Sequence, residues 1–188
     1  MSDVFFNVIE FTFLGKTTER GSMRTSWVCN DDFKVILRLL MEPNRLAVEM
    51  SLRFGMRIGD VLATKRSDVV KGDWTYKEQK TGKRRRVRCQ GEFQCRLLAQ
   101  SGRVFIFEHR LDWRKHRTRQ AVYKDIKRAA KALRLDENVG THSARKNYAV
   151  NQYRVTGDLK KVQRLLNHSD EAITMIYALA DQMKNKKK

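Results

Sequence analysis

The sequence predicts an α+β chain, mainly helical, with one small antiparallel β-hairpin inserted early. Three observations carry that expectation. Apolar residues recur at three- and four-residue spacing through most of the chain from Asn30 onward. Between the helical stretches, β-favouring runs gather at Asp73 to Gln79 and at Arg84 to Cys89, joined by a KTGK turn. A single proline and ten glycines, with 41% apolar residues, argue against disorder and supply enough for a core.

Each element follows in order. Residues 4–14 are rich in Phe, Val and Ile and read as a strand, packed at an edge of the body in the simplest case. GKTTERGSMRTSW, 15–27, is a polar loop punctuated by glycine. NDDFKVILRLLMEP, from Asn30, is a capped helix expected to stop near Pro43. RLAVEMSLRFG is a second helix and MRIGDVLATKRSDV a third, shorter one. After the hairpin, GEFQCRLLAQSG returns to helical spacing, RVFIFEHR is a short apolar stretch and RLDWRKHRTR a basic loop. TRQAVYKDIKRAAKALRL is the clearest helix, with Thr118 placed to cap it. Three further helical stretches follow the ENVG loop: HSARKNYAVNQYRV, DLKKVQRLLN and DEAITMIYALADQM. The closing KNKKK is a basic tail.

Charge narrows the class of partner. Forty Lys and Arg stand against 21 Asp and Glu, a net +19. An excess of that size attracts polyanions at long range. Nucleic acid is the leading partner, since phosphate neutralisation with counterion release supplies most non-specific affinity. Cys29, Cys89 and Cys95 form no CxxC pair, so neither a disulfide framework nor a zinc site is expected; buried, reduced thiols are the default. No run of 18 apolar residues exists to span a membrane, and the apolar start carries Asp3 and Glu10 without a basic leader, unlike a signal peptide.

Four short constellations could carry chemistry. In RFGMRIGDVL, Arg57 and Asp60 lie three apart and would share a helix face. Arg57 is either a salt-bridged residue at the core edge or a guanidinium, steadied by Asp60, aimed at a phosphate. In THSARKNYAV, His142 and Arg145 open a helix and combine a proton-transfer group with a permanent cation. KEQKTGKRRRVRC is either a solvated basic turn or a lysine finger able to protonate a leaving oxygen. In NHSDEAITMIYALA, Tyr177 follows His168 by nine residues. Alone, Tyr177 reads as core. Among several cations its phenol, with an ordinary pKa of about 10, becomes a usable nucleophile. No carboxylate cluster suits Mg²⁺, so no metal site is expected.

The order of these motifs resembles the catalytic domain of tyrosine recombinases, the phage integrase family. Arginine with an acid three on, a basic KTGK hairpin, HxxR, His and then Tyr run in sequence across roughly residues 30–182. The resemblance implies the fold of that catalytic domain and an enzyme that breaks and rejoins DNA at specific sites. It implies that Tyr177 attacks the scissile phosphate and forms a 3′-phosphotyrosyl bond. Arg57, Arg145 and His168 would hold the non-bridging oxygens, Lys80 would protonate the departing 5′ oxygen, and His142 would assist proton transfer. Asp60 would be support. Lys77 and Lys83 flank Lys80 and leave the hairpin register open. It further implies double-stranded DNA as partner, a homo-tetramer in the synaptic complex, no cofactor, no metal and no membrane. A cytoplasmic location in a prokaryotic, phage or mobile-element setting would follow.

The sequence also departs from the family pattern. Asp60 stands where Glu is commoner, and Lys146 follows Arg145 where His is frequent. Residues 1–29 would be an N-terminal extension or linker, 30–182 the catalytic domain and 183–188 a basic tail. Family members usually carry an N-terminal domain that completes a clamp on DNA. The chain is therefore either a fragment or one of the short members made of the catalytic domain alone, such as the fimbrial phase-switch recombinases. Lys83, Arg84, Arg85, Arg86 and Arg88 on the hairpin, Arg114, Lys115, Arg117 and Arg119 before the long helix, and Lys146 are expected to contact phosphates, positioning rather than specifying. Two alternatives stand beside strand exchange: a DNA-relaxing activity of the type IB topoisomerase kind, and a catalytically silent DNA-binding protein of the same fold.

Overall fold

The structure is a computed structural model that describes residue 28 and residues 30–166. The expected strand at 4–14, the loop at 15–27, the last helix with His168 and Tyr177, and the basic tail lie outside the described residues.

The described residues form eight helices and one two-stranded antiparallel sheet. In order they are α1 Asn30–Leu39, α2 Glu42–Phe54, α3 Ile58–Leu62, α4 Arg66–Lys71, β1 Asp73–Lys77, β2 Arg84–Arg88, α5 Glu92–Ala99, α6 Arg119–Ala132, α7 Ser143–Thr156 and α8 Leu159–Leu165. Helix α2 is the centre. Its buried Leu46, Ala47, Val48, Met50 and Ser51 recur at helical spacing, and it packs chiefly on α7, with α1, α3 and α6 around it. A second apolar cluster, Tyr148, Ala149, Val162 and Leu166, joins α7 to α8.

Two helix boundaries differ from expectation. Pro43 does not stop the first helix; it sits in the first turn of α2, where the missing N–H costs nothing. Helix α1 ends earlier, at Leu39. The expected third helix is split into α3 and α4. The apolar stretch RVFIFEHR docks at the break: Lys65 bridges to Phe105, Arg66 N–H donates to Val104 O at 2.9 Å and Ile106 N–H to Thr64 O at 3.1 Å. Long-range pairing there overrides helical spacing, because it buries Ile106 and Phe107 completely.

The hairpin forms as expected, with Asp73 opposite Arg88 and Lys77 opposite Arg84. Trp74 and Val87 face each other on the buried side, so Trp74 belongs to the core. Thr118 caps α6 by accepting from Ala121 N–H at 3.1 Å. Cys89 is buried, but Cys95 is exposed, contrary to the expectation of buried thiols. It lies on a solvent-facing position of α5.

One glycine is structurally required. Gly55 ends α2 in the left-handed region, with φ +63°, and its N–H closes onto Ser51 O at 2.8 Å. A Cβ there would lie 2.5 Å from Tyr148 Cδ1. Gly55→Ala is therefore expected to lower stability by about 1–3 kcal/mol through backbone strain and overpacking. Urea unfolding monitored by circular dichroism measures it, and an unchanged midpoint would refute it.

Candidate active site

A cleft of about 630 Å³ opens where the start of α3, the hairpin turn, the start of α6 and the start of α7 meet. Arg57, Asp60, Lys80, Arg119 and His142 line it, with Gln79, Gln120, Tyr123 and Thr141. Residues more than 80 positions apart in the chain thus share one cationic surface.

Arg57 occupies the N-cap position of α3 with extended backbone (φ −69°, ψ 143°). Its carboxylate partner is Glu78, not Asp60 as the three-residue spacing suggests. Nη1 donates to Glu78 Oε2 at 2.7 Å, and the Arg57 side chain is 14% exposed. The spacing argument fails because Arg57 precedes the helix rather than lying within it, so the two side chains do not share a helical face. Asp60 instead reaches the hairpin turn, where Oδ1 accepts from Gln79 N–H at 3.0 Å. Its Oδ2 is buried and has no hydrogen-bond partner among the described residues. Burial pushes the Asp60 carboxyl above its ordinary value; the Gln79 N–H opposes that, the Glu78 charge adds to it, and Arg57 and Arg145 oppose it.

Arg145 lies on the first turn of α7 and is 5% exposed. It does not line the cleft but stands beside it. Nη1 donates to Gly55 O at 2.9 Å and Nη2 to Leu166 O at 2.8 Å. Arg145 therefore ties the end of α2 to the residue two positions before His168. Burial, reinforced by the charges of Arg57 and Arg85, brings its pKa down to about 10, still well above neutral. His142 precedes α7 at its N-cap position and is exposed at the cleft. Lys80, the first residue of the KTGK turn, lines the cleft; Lys77 at the end of β1 and Lys83 at the end of the turn are exposed outside it. Gly82 makes the turn possible with φ +69°.

The expected phosphate-contacting residues divide into two groups. Lys83, Arg84, Arg86, Arg88, Arg114, Lys115 and Arg119 are exposed. Arg86 forks onto Asp73 at 2.8 and 3.1 Å, and the Arg114 guanidinium lies 4.8 Å from the centre of the Trp113 ring. Lys146 is half-buried. Arg85 and Arg117 depart from expectation, because both turn inward. Arg85 donates to Phe54 O at 2.9 Å and Gly55 O at 3.2 Å and pairs with Glu78 at 3.5 Å. Arg117 Nε donates to Asn44 Oδ1 at 2.6 Å. Asn44 in turn donates to Asp125 at 2.7 Å, which ties the start of α2 to α6. In each case buried backbone or amide oxygens take the guanidinium that composition alone would give to DNA.

Sequence reasoning missed Glu78. Its signal was present: Trp74, Tyr76 and Glu78 share the inward phase of the strand, and an acid on that phase in a basic hairpin demands a buried cation. Gln120 and Tyr123, on the cleft side of α6, were also missed. Tyr76 and Tyr148 lie near the arginines. Burial raises both phenols, Tyr76 to about 12, so neither supplies a phenolate near neutral pH.

The fold is that of tyrosine recombinase catalytic domains. It superposes on a lambda integrase tetramer bound to a Holliday junction with a TM-score of 0.65 at 24% identity, covering 83% of this chain and 49% of that one. Residues 27–184 match the Phage integrase family, and the chain belongs to that family. It is 32% identical over 140 residues to the probable integrase/recombinase YoeC of Bacillus subtilis strain 168, covering 68% of this chain and 72% of YoeC. It is 26% identical over 188 residues to the integrase of Escherichia phage P2, covering 95% of this chain and 52% of the phage protein. The chain thus spans about half the length of the phage and lambda integrases it matches. Among the described residues no helix is long and apolar enough to cross a membrane.

Proposed function

We propose that this chain cleaves and rejoins double-stranded DNA at specific sites through a 3′-phosphotyrosyl intermediate. The observation that carries the proposal is the convergence of Arg57, Lys80 and His142 on one cleft, with Arg145 fixed beside it. That set supplies cations for a phosphate in flight and a proton donor for its leaving group.

In the cleavage step the Tyr177 phenolic oxygen attacks phosphorus, the bond from phosphorus to the 5′ oxygen breaks, and Lys80 delivers a proton to that oxygen. Arg57, Arg145 and His168 neutralise the charge that grows on the non-bridging oxygens. His142 takes part in moving the phenolic proton. A 5′ hydroxyl from another strand attacks the phosphotyrosine, restores a phosphodiester and frees Tyr177. Bond energy is conserved in the intermediate, so the chemistry calls for neither nucleotide nor metal. Residues 30–182 form the catalytic domain, flanked by an extension or linker at 1–29 and a basic tail at 183–188. Strand exchange between two sites calls for a tetramer of this chain on DNA, in the cytoplasm of a bacterial or phage-carrying cell.

A nicked suicide duplex bearing the cognate site, from which the short 5′ fragment diffuses away, tests the proposal. The expected result is a covalent protein–DNA adduct that survives denaturant and forms equally well with excess chelator. Binding without adduct formation at that site would refute the enzyme and favour a silent DNA-binding protein.

A further inference from the structure

We propose that Glu78 is a positioning residue of the cleavage step: its buried carboxylate joins Arg57 to the turn that carries Lys80, and so sets the phosphate grip and the proton donor in one geometry. The inference rests on the roles just given to Arg57 and Lys80.

The Glu78 side chain is 0% exposed. A carboxylate so placed is tolerated only when its oxygens are met by strong donors. Oε2 accepts from Arg57 Nη1 at 2.7 Å and from Thr81 Oγ1 at 2.6 Å, and Oε1 faces Arg85 Nη1 at 3.5 Å. The backbone of Glu78 closes the turn, with its N–H on Lys83 O and its carbonyl taking Gly82 N–H, both at 2.9 Å. Gln79 N–H is held by Asp60 at 3.0 Å. Residues on both sides of Lys80 are therefore pinned, and Lys80 itself is exposed at the cleft.

An ion pair that only glued the hairpin to the body would be met by Arg85, which also binds the carbonyls of Phe54 and Gly55. Glu78 instead makes its shorter contact with Arg57, the guanidinium that lines the cleft. Thr81, immediately after Lys80, shares the same carboxylate oxygen. The atom that orients the phosphate-binding arginine is thus the atom that anchors the lysine turn. Small displacements of either group cost rate steeply, which gives such a coupling its value.

The test compares two substrates in single-turnover cleavage by the full chain. One suicide duplex carries the ordinary phosphodiester. The other has sulfur in place of the bridging 5′ oxygen, so that the P–S bond breaks and the thiolate leaves without a proton. Lys80→Ala is expected to lose about 100-fold or more on oxygen and to recover on sulfur. Glu78→Gln is expected to lose about 10- to 100-fold on oxygen and to recover only the part due to Lys80 on sulfur, since the loosened Arg57 grip slows both substrates. Thr81→Val removes one hydrogen bond without uncovering a buried charge; a loss of about 2- to 10-fold is expected, again recovered on sulfur. Wild-type rates for Glu78→Gln on both substrates, or an equal loss on both, would overturn the inference. If Glu78→Gln does not fold, Thr81→Val decides by the same criterion. Lys80→Ala left unrecovered by sulfur would overturn the Lys80 assignment and this inference with it. Glu78→Gln unrecovered beside a recovered Lys80→Ala would overturn the Glu78 inference alone.

Discussion

Tyr177→Phe is expected to abolish the covalent adduct on the suicide duplex while leaving DNA affinity within about twofold of wild type. The substitution removes one oxygen and keeps the ring, and it leaves the apolar Ile173, Ile176 and Leu179 around it in the sequence unchanged. Without the phenolic oxygen no phosphotyrosyl bond can form, and the loss is total rather than graded. Equilibrium binding measured beside adduct formation separates lost chemistry from lost recognition. A persisting adduct would move the nucleophile elsewhere. Tyr123 would then be the next phenol to replace, because it is exposed and lines the cleft beside Arg57 and Lys80. Buried Tyr76 would remain the poorer choice, with its phenol raised to about 12.

What the sequence disclosed, and what it withheld, follows from the range of the interactions involved. Periodicity and turn chemistry are local, so the hairpin, the Thr118 cap and the long helix α6 were all legible. The break between α3 and α4 was not, because residues 104–106, about 40 positions away, supply it. Pro43 in the sequence suits a stop or a start equally, and only the short gap from Leu39 to Glu42 decides for the start of α2. At the site, spacing singles out Arg57, Lys80, His142 and Arg145, which the fold brings to or beside one cleft, but it cannot distribute their partners. Spacing pairs Arg57 with Asp60, three residues away; the fold pairs it with Glu78, 21 residues away. Arg85 and Arg117 were counted with the phosphate-binding surface because charge is visible in a sequence and burial is not. The excess of +19 is a property of the whole surface. Which arginines contribute to it depends on buried oxygens that need a donor, and those are created only by tertiary folding.

Arg145 should show the second large effect, and its two variants separate grip from support. Arg145→Ala removes the Arg145 donor from Leu166 O and leaves Gly55 O with only the longer bond from Arg85, at 3.2 Å, in a site that is 5% exposed. An orphaned carbonyl costs about 1–3 kcal/mol, and Gly55 O is weakened rather than orphaned. Part of that is returned, because the removed guanidinium was itself disfavoured by burial and by the charges of Arg57 and Arg85. A net loss of about 1–3 kcal/mol in urea unfolding is expected, with cleavage reduced by about 100-fold or more even at temperatures where the variant is folded. Arg145→Lys keeps the charge but replaces a planar fork by a single ammonium, which does not reproduce the two-pronged contact with Gly55 O and Leu166 O. Its stability should fall less than that of Arg145→Ala, while cleavage should still drop by about 100-fold, since a misplaced point charge does not reproduce the fork at a phosphate. Cleavage by Arg145→Lys within about tenfold of wild type would reduce Arg145 to a strut between α2 and the end of α8. Phosphate stabilisation would then rest on Arg57 and His168, and the observation that both Nη atoms of Arg145 face backbone carbonyls would account for its whole role.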